Sequence, residues 1–146
     1  MKNNFHLKVY NHNFEIECDM YLNDKKVGSF VLDDSMRIDG RVCLSYFEIY
    51  KEFRGKGFAK HLANFVKEQH KLFFPNQMLE IEAIPLEENP TIKRKDLLNM
   101  YKRYFKPYFE DSNFTILYYN WRRYYESIYH YWNYPILNRI SNWRKK

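Results

Sequence analysis

The stretch EFRGKGFAKHLANFVKEQ, residues 52–69, decides how this chain is read. It places Gly55 and Gly57 among the cations Arg54 and Lys56, and a helical pattern starts with no break. Phe58, Leu62, Phe65, Val66 and Gln69 fall on one helical stripe, while Lys60, Lys67, Glu68 and Lys71 fall elsewhere. A helix N-terminus has unpaired N–H groups and a partial positive charge. Glycines let the backbone approach a ligand closely, and the two cations add full charge. Residues 54–59, Arg54, Gly55, Lys56, Gly57, Phe58 and Ala59, therefore predict an anion site suited to phosphate. Two common phosphate loops are excluded. Lys56 is followed by Gly57 rather than Ser or Thr, and a dinucleotide loop needs a third glycine at another spacing.

Working outward, the preceding residues alternate as strands. Residues 5–11 and 14–22 flank an Asn11-His12-Asn13 turn, and residues 26–33 follow a turn at Asn23-Asp24. In the second run Phe14, Ile16, Cys18 and Met20 share one face, opposite Glu15, Glu17 and Asp19. Residues 41–50 carry apolar side chains on both faces, which predicts a central strand. After the helix, residues 78–84 read as a fifth strand and 93–105 as a second helix with Leu97, Leu98, Tyr101, Tyr104 and Phe105 inward. Residues 113–119 read as a last strand. The strand–helix–strand step predicts a parallel pair with a right-handed crossover, and hairpins link the earlier strands. The fold class is α+β: a mixed, mostly antiparallel sheet with flanking helices. Residues 1–120 form the core and 121–146 a C-terminal helical extension packed on it, with Trp121, Tyr124, Tyr125, Ile128, Tyr131 and Trp132 at helical spacing.

The loop in this context resembles the GNAT family of acetyl-CoA-dependent N-acetyltransferases. Their motif, Arg/Gln-x-x-Gly-x-Gly/Ala after a strand and opening a helix, is met by Arg54, Gly57 and Ala59. Ile49 stands where the family usually has Val, and Lys26-Val27-Gly28 looks like the strand before it. Ala83-Ile84-Pro85 and Leu97-Leu98 look similar to small phage-borne members, including anti-CRISPR acetyltransferases. The resemblance covers roughly residues 14–109. It implies acetyl-CoA as co-substrate, with residues 54–59 on its diphosphate. It also implies that the central strand splays from its neighbour, and that the pantetheine arm pairs with backbone near Ile49. Many members carry two helices between their first two strands; here a three-residue turn leaves no room for them.

Moving an acyl group from a thioester to an amine poses two proton problems. An alkyl ammonium with a pKa near 10.4 is neutral in roughly one molecule in a few thousand at pH 7, so a base must help. Leu79-Glu80-Ile81 looks like the Leu-Glu-Val of N-terminal protein acetyltransferases, whose Glu is the base, which makes Glu80 the first candidate. Glu82 on the same face and Glu48 on the neighbouring strand stay open, and each of the three could instead be a solvated strand carboxylate. By the same resemblance Tyr101 is the acid that protonates the departing sulfur, although no Gly-Phe follows it. Tyr101 also lies in an apolar stripe, so core packing is its competing role. The five histidines make no metal spacing and no metal site is expected.

Charge is uneven. The net charge is +6, and residues 91–146 hold 12 Lys/Arg against 4 Asp/Glu. That basic, aromatic third suits an acidic partner or nucleic acid, a homodimer contact, or a cover for the acceptor side. Helix packing explains the same aromatics. No apolar run is long enough to span a bilayer, so no membrane partner is expected. No secretory signal is evident, and two cysteines 25 residues apart match no metal or redox spacing, which fits a cytoplasmic, reducing setting. The expected function is acetyl transfer to an amine on a protein or other macromolecule. The alternative is a catalytically inactive module of the same fold that binds nucleic acid or a host protein.

Overall fold

The computed structural model describes residues 4–35, 40–84, 93–107, 109–110 and 115–118. The expected C-terminal extension, residues 121–146, lies outside them, as do Pro85 and the acidic loop that follows it. Three antiparallel strands come first: β1 (Phe5–Asn11), β2 (Glu15–Leu22) and β3 (Lys25–Asp33). They lead into β4 (Arg41–Ile49), a short 3-10 turn at Lys51–Phe53, and helix α1 (Phe58–Phe73). The chain then forms β5 (Met78–Glu82), helix α2 (Arg94–Tyr104), β6 (Phe109–Glu110) and β7 (Thr115–Tyr118). The seven strands make one sheet in the order β1-β2-β3-β4-β5-β7-β6. Among the described strands only β4 and β5 pair in parallel; α1 makes the connection between them. The expected α+β class and the central fourth strand are observed, and β1 joins β2 directly, without a helix pair. No described helix is long and apolar enough to cross a membrane.

The core lies on one face of the sheet. Cys18, Met20, Phe30, Leu32, Val42, Leu79 and Ile81 project from the strands against Leu62, Ala63 and Val66 of α1 and Leu97, Leu98 and Tyr101 of α2. Full burial of an aliphatic or aromatic side chain of this kind contributes about 1.5–3 kcal/mol. The opposite face carries Asp19, Ser29, Tyr46, Glu48, Glu80 and Glu82, as strand alternation requires.

Several boundaries and one inference need correction. The fourth strand carries Cys43 and Tyr46 on the face opposite its buried row, but its alternation is not regular. Its pairing with β3 shifts register between Val31 and Leu32, so Val31 opposes Tyr46 and Leu32 opposes Leu44. Exposed Ser45 is the extra residue of a β-bulge, and it resets the alternation. Val42, Leu44, Phe47 and Ile49 are consequently all buried on the core side, while Arg41, Cys43, Tyr46 and Glu48 are only half-buried. Phe14 precedes β2 and is exposed, whereas Ile16, Cys18 and Met20 are buried as expected. On α1 the inward stripe ends at His70 rather than Gln69. The fifth strand stops at Glu82, two residues early.

Candidate active site

The bulge and the end of one ladder create the feature of interest. β4 pairs with β5 at Arg41–Met78, Val42–Leu79 and Cys43–Glu80, and there the pairing stops. Both strands continue, β4 to Ile49 and β5 to Glu82. The second half of β4 thus has no β5 neighbour. Its polar groups can be placed from the other ladder. The Tyr50 N–H donates to the Val27 carbonyl at 2.9 Å, so Val27 and Tyr50 are a hydrogen-bonded pair. Antiparallel pairs alternate, which makes Gly28–Ile49 and Phe30–Phe47 the non-bonded ones. The N–H and C=O groups of Phe47 and Ile49 therefore turn away from β3 and into the gap.

Gly28 holds this region tightly against β3. A Cβ there would stand 2.6 Å from the Glu48 carbonyl oxygen and 3.0 Å from Ile49 Cδ1, so only glycine fits.

At the end of β4 lies the basic loop. Gly55 and Gly57 have φ of 77° and 78°, the left-handed region that glycine reaches without strain. Gly57 is the N-cap of α1, makes no side-chain cap, and no acidic residue stands in the first turn. Among the described residues, none of the amides of residues 55–60 has a backbone acceptor outside the helix. No described atom lies within 4 Å of where a Cβ would stand at Gly55 or Gly57. The helix's positive end is thus uncompensated and sterically open, with Lys56 and Lys60 exposed beside it. Those are the properties a diphosphate requires of the loop that holds it.

Arg54 turns back onto the strand. Its Nε donates to the Ile49 carbonyl at 2.8 Å, and its Nη2 lies 3.4 Å from Glu48 Oε1. Glu48 Oε2 accepts the hydroxyl of Tyr46. Burial, followed by that bond and the nearby carboxylate, pushes the Tyr46 phenol up to about 12. Phe58 is buried in the core and Ala59 half-buried, so within the loop these two contribute amides rather than side chains.

The three carboxylates differ in their ties. Glu48 has both oxygens engaged. Glu82 is paired with Arg94 at 3.2 Å, and Arg94 also donates to the Ala83 carbonyl at 2.9 Å. Glu80 stands in the last residue pair before the gap, with looser neighbours: Cys43 Sγ at 3.7 Å and Arg41 Nη1 at 3.9 Å. Its carboxylate also raises the Cys43 thiol, after the larger effect of burial, to about 11.

Tyr101 lies on the core side. Its ring meets Phe47 edge-on at 5.6 Å, in the unpaired half of β4, and tilts against Phe105 at 6.4 Å. Burial raises its phenol well above the usual tyrosine range. Glu80 and Tyr101 thus stand on opposite faces of the sheet, beside the same gap. Among the described residues no group of three or more His, Cys, Asp or Glu could hold a metal ion.

Sequence reasoning missed the bulge, the 3-10 turn and the backward fold of Arg54. Ser45, a polar residue inside an apolar run, was the one signal for the bulge.

No family model matches the chain, and no curated protein matches it in sequence. Solved structures do match in fold. A protein described as a GNAT-family acetyltransferase from Desulfovibrio desulfuricans aligns with a TM-score of 0.51 at 15% identity, over 72% of this chain and 68% of that one. Spermidine N-acetyltransferase from Vibrio cholerae, solved with CoA and spermine, aligns with a TM-score of 0.51 at 15% identity, over 73% of this chain and 63% of that one. The chain spans about two thirds of the length of these structures.

Proposed function

We propose that this chain, which has the GNAT acetyltransferase fold, transfers an acetyl group from acetyl-CoA to an amine on a protein or other macromolecule. The observation that carries this reading is the junction of two features. The β4–β5 ladder ends after Cys43–Glu80, and an uncapped, two-glycine helix N-terminus stands at the far end of the strand so exposed. One feature suits an extended chain of amides, the other a diphosphate, and acetyl-CoA carries both in that order.

Within the loop Arg54–Ala59, the amides and Lys56 would hold the diphosphate end, while Arg54, turned onto β4, and the backbone at Ile49 would hold the arm. When bound, acetyl-CoA supplies the acetyl group as a thioester. Glu80 is the base. It is the carboxylate least committed to other partners, and it flanks the gap. It takes a proton from the acceptor ammonium, so that the amine nitrogen can form its bond to the acyl carbon. Tyr101 is the acid. Its hydroxyl is protonated at neutral pH and would give that proton to the departing sulfur, and its ring packs against Phe47 in the unpaired half of β4. The amine's remaining extra proton and the one on Glu80 pass to solvent, the Tyr101 phenolate takes one back, and the products are an amide, a free thiol and one released proton. The direct β1–β2 hairpin leaves the acceptor side without the helix pair many members carry, which favours a large acceptor over a small one.

The test is a lysate incubated with the protein and isotopically labelled acetyl-CoA, read by mass spectrometry. Labelled amides are expected with wild type. Glu80→Gln should cut the rate by about 10²–10⁴ while leaving CoA affinity unchanged. Tight, salt-sensitive nucleic-acid binding without CoA binding would replace this reading with that of a non-catalytic module.

A further inference from the structure

We infer that Arg54 is a positioning residue that sets the register of an amide-bearing arm on the β4 edge, rather than a direct ligand of phosphate. This inference rests on the acetyl-transfer reading and goes beyond it. A cation beside a glycine loop invites the phosphate role, but the geometry sends the guanidinium the other way. Its Nε is 2.8 Å from the Ile49 carbonyl, and its Nη2 is 3.4 Å from Glu48. Glu48 is itself fixed by the Tyr46 hydroxyl. A guanidinium presents its donors in a rigid planar fork, so a group held on two edges is oriented as a whole. The Glu48 carboxylate also offsets its charge before any anion arrives.

The consequence falls on the strand. Phe47 and Ile49 turn four polar backbone groups into the gap, two N–H and two C=O. Arg54 already satisfies one of them, the Ile49 carbonyl. Among the described residues, the Phe47 N–H, the Phe47 carbonyl and the Ile49 N–H remain for an incoming chain of amides. A strand-like ligand shifted by one step would need the Ile49 carbonyl as acceptor and would have to share it with Arg54, which disfavours that register. Arg54 thereby ties the arm's position to the loop that holds the diphosphate, because the residue belongs to that loop.

The experiment is calorimetry on wild type, Arg54→Ala and Arg54→Lys with two probes. CoA has the diphosphate and the arm; adenosine 3′-phosphate 5′-diphosphate has the diphosphate alone. Both variants should lose about tenfold in CoA affinity and change less than about twofold for the armless nucleotide, with circular dichroism unchanged. Lys keeps the charge without the fork, so its failure to rescue separates orientation from charge. Equal losses on both probes, with rescue by Lys, would make Arg54 a phosphate ligand and overturn the inference. Variants that match wild type on both probes would overturn it as well. If wild type binds CoA no more tightly than the armless nucleotide, the inference falls alone. If wild type binds neither, the acetyl-transfer reading falls with it. Should Arg54→Ala fail to fold, Arg54→Lys carries the comparison.

Discussion

Gly57 shows how much of this site rests on single backbone positions. Its φ of 78° puts the N-cap of α1 in the left-handed region, where a side chain costs about 1–2 kcal/mol. The space where that side chain would stand is open, so a substitution strains the backbone without a clash. Gly57→Glu should therefore fold, with a modestly lower melting temperature, and lose CoA binding altogether because it sets a carboxylate where the diphosphate belongs. Retained affinity by calorimetry would show that the anion site lies elsewhere. Gly28 is the opposite case. Its conformation is ordinary, but a Cβ would stand 2.6 Å from the Glu48 carbonyl oxygen, and backbone must give way. Gly28→Ala should cost about 1–3 kcal/mol in urea unfolding and weaken CoA binding, since it pushes the Glu48–Ile49 segment out of place. An unchanged midpoint would mean that the two strands lie less tightly together than described. The glycines were legible in the sequence as glycines, but nothing there distinguishes the position that needs φ from the one that needs space.

At the scale of elements, the last turn of α1 is fastened to the start of β5 through one buried side chain. His70 Nε2–H donates to the Gln77 carbonyl at 2.7 Å, while Nδ1 has no partner among the described residues and the Tyr118 ring lies 5.9 Å away. Burial lowers its pKa below the ordinary 6.5 and outweighs the Gln77 bond, which acts in the opposite sense. The folded state therefore takes up this proton less readily than the unfolded chain. The stability at stake is fully present above about pH 6.5 and drains away as pH falls toward the lower folded value. Urea midpoints should drop between pH 7.5 and 5.5 in wild type and drop less in His70→Gln, which keeps an amide donor and removes the titration. Parallel slopes in the two proteins would refute the assignment. The helix itself was plain from its apolar spacing. The identity of its last inward residue was not, because Gln69 and His70 are both polar and only the packing of β5 and β7 against that turn selects one.

At the scale of the molecule, the proposed ligand touches the loop, the β4 edge and, through Tyr101, helix α2. A ligand that binds only the folded state stabilises it by mass action, about 2.7 kcal/mol at a hundredfold excess over its Kd. Acetyl-CoA at that level should raise the melting temperature by several degrees and should not do so for Gly57→Glu. A duplex or single-stranded nucleic acid that raises it instead, with an effect lost in salt, would favour the basic-module reading. By itself, the sequence determined the α+β class, the order of strands and helices apart from the two-residue β6, the central place of β4 and the loop at its end. Each of these follows from local periodicity, from glycine placement, or from the resemblance those residues carry. Tertiary structure alone decided that Ser45 bulges, that the β4–β5 ladder ends at Cys43–Glu80, and that Arg54 folds back onto Ile49. These depend on where two strands stop pairing and on which acceptor comes within reach of a long side chain. Both are set by contacts between residues far apart in the chain, and periodicity, a property of neighbours, does not encode them.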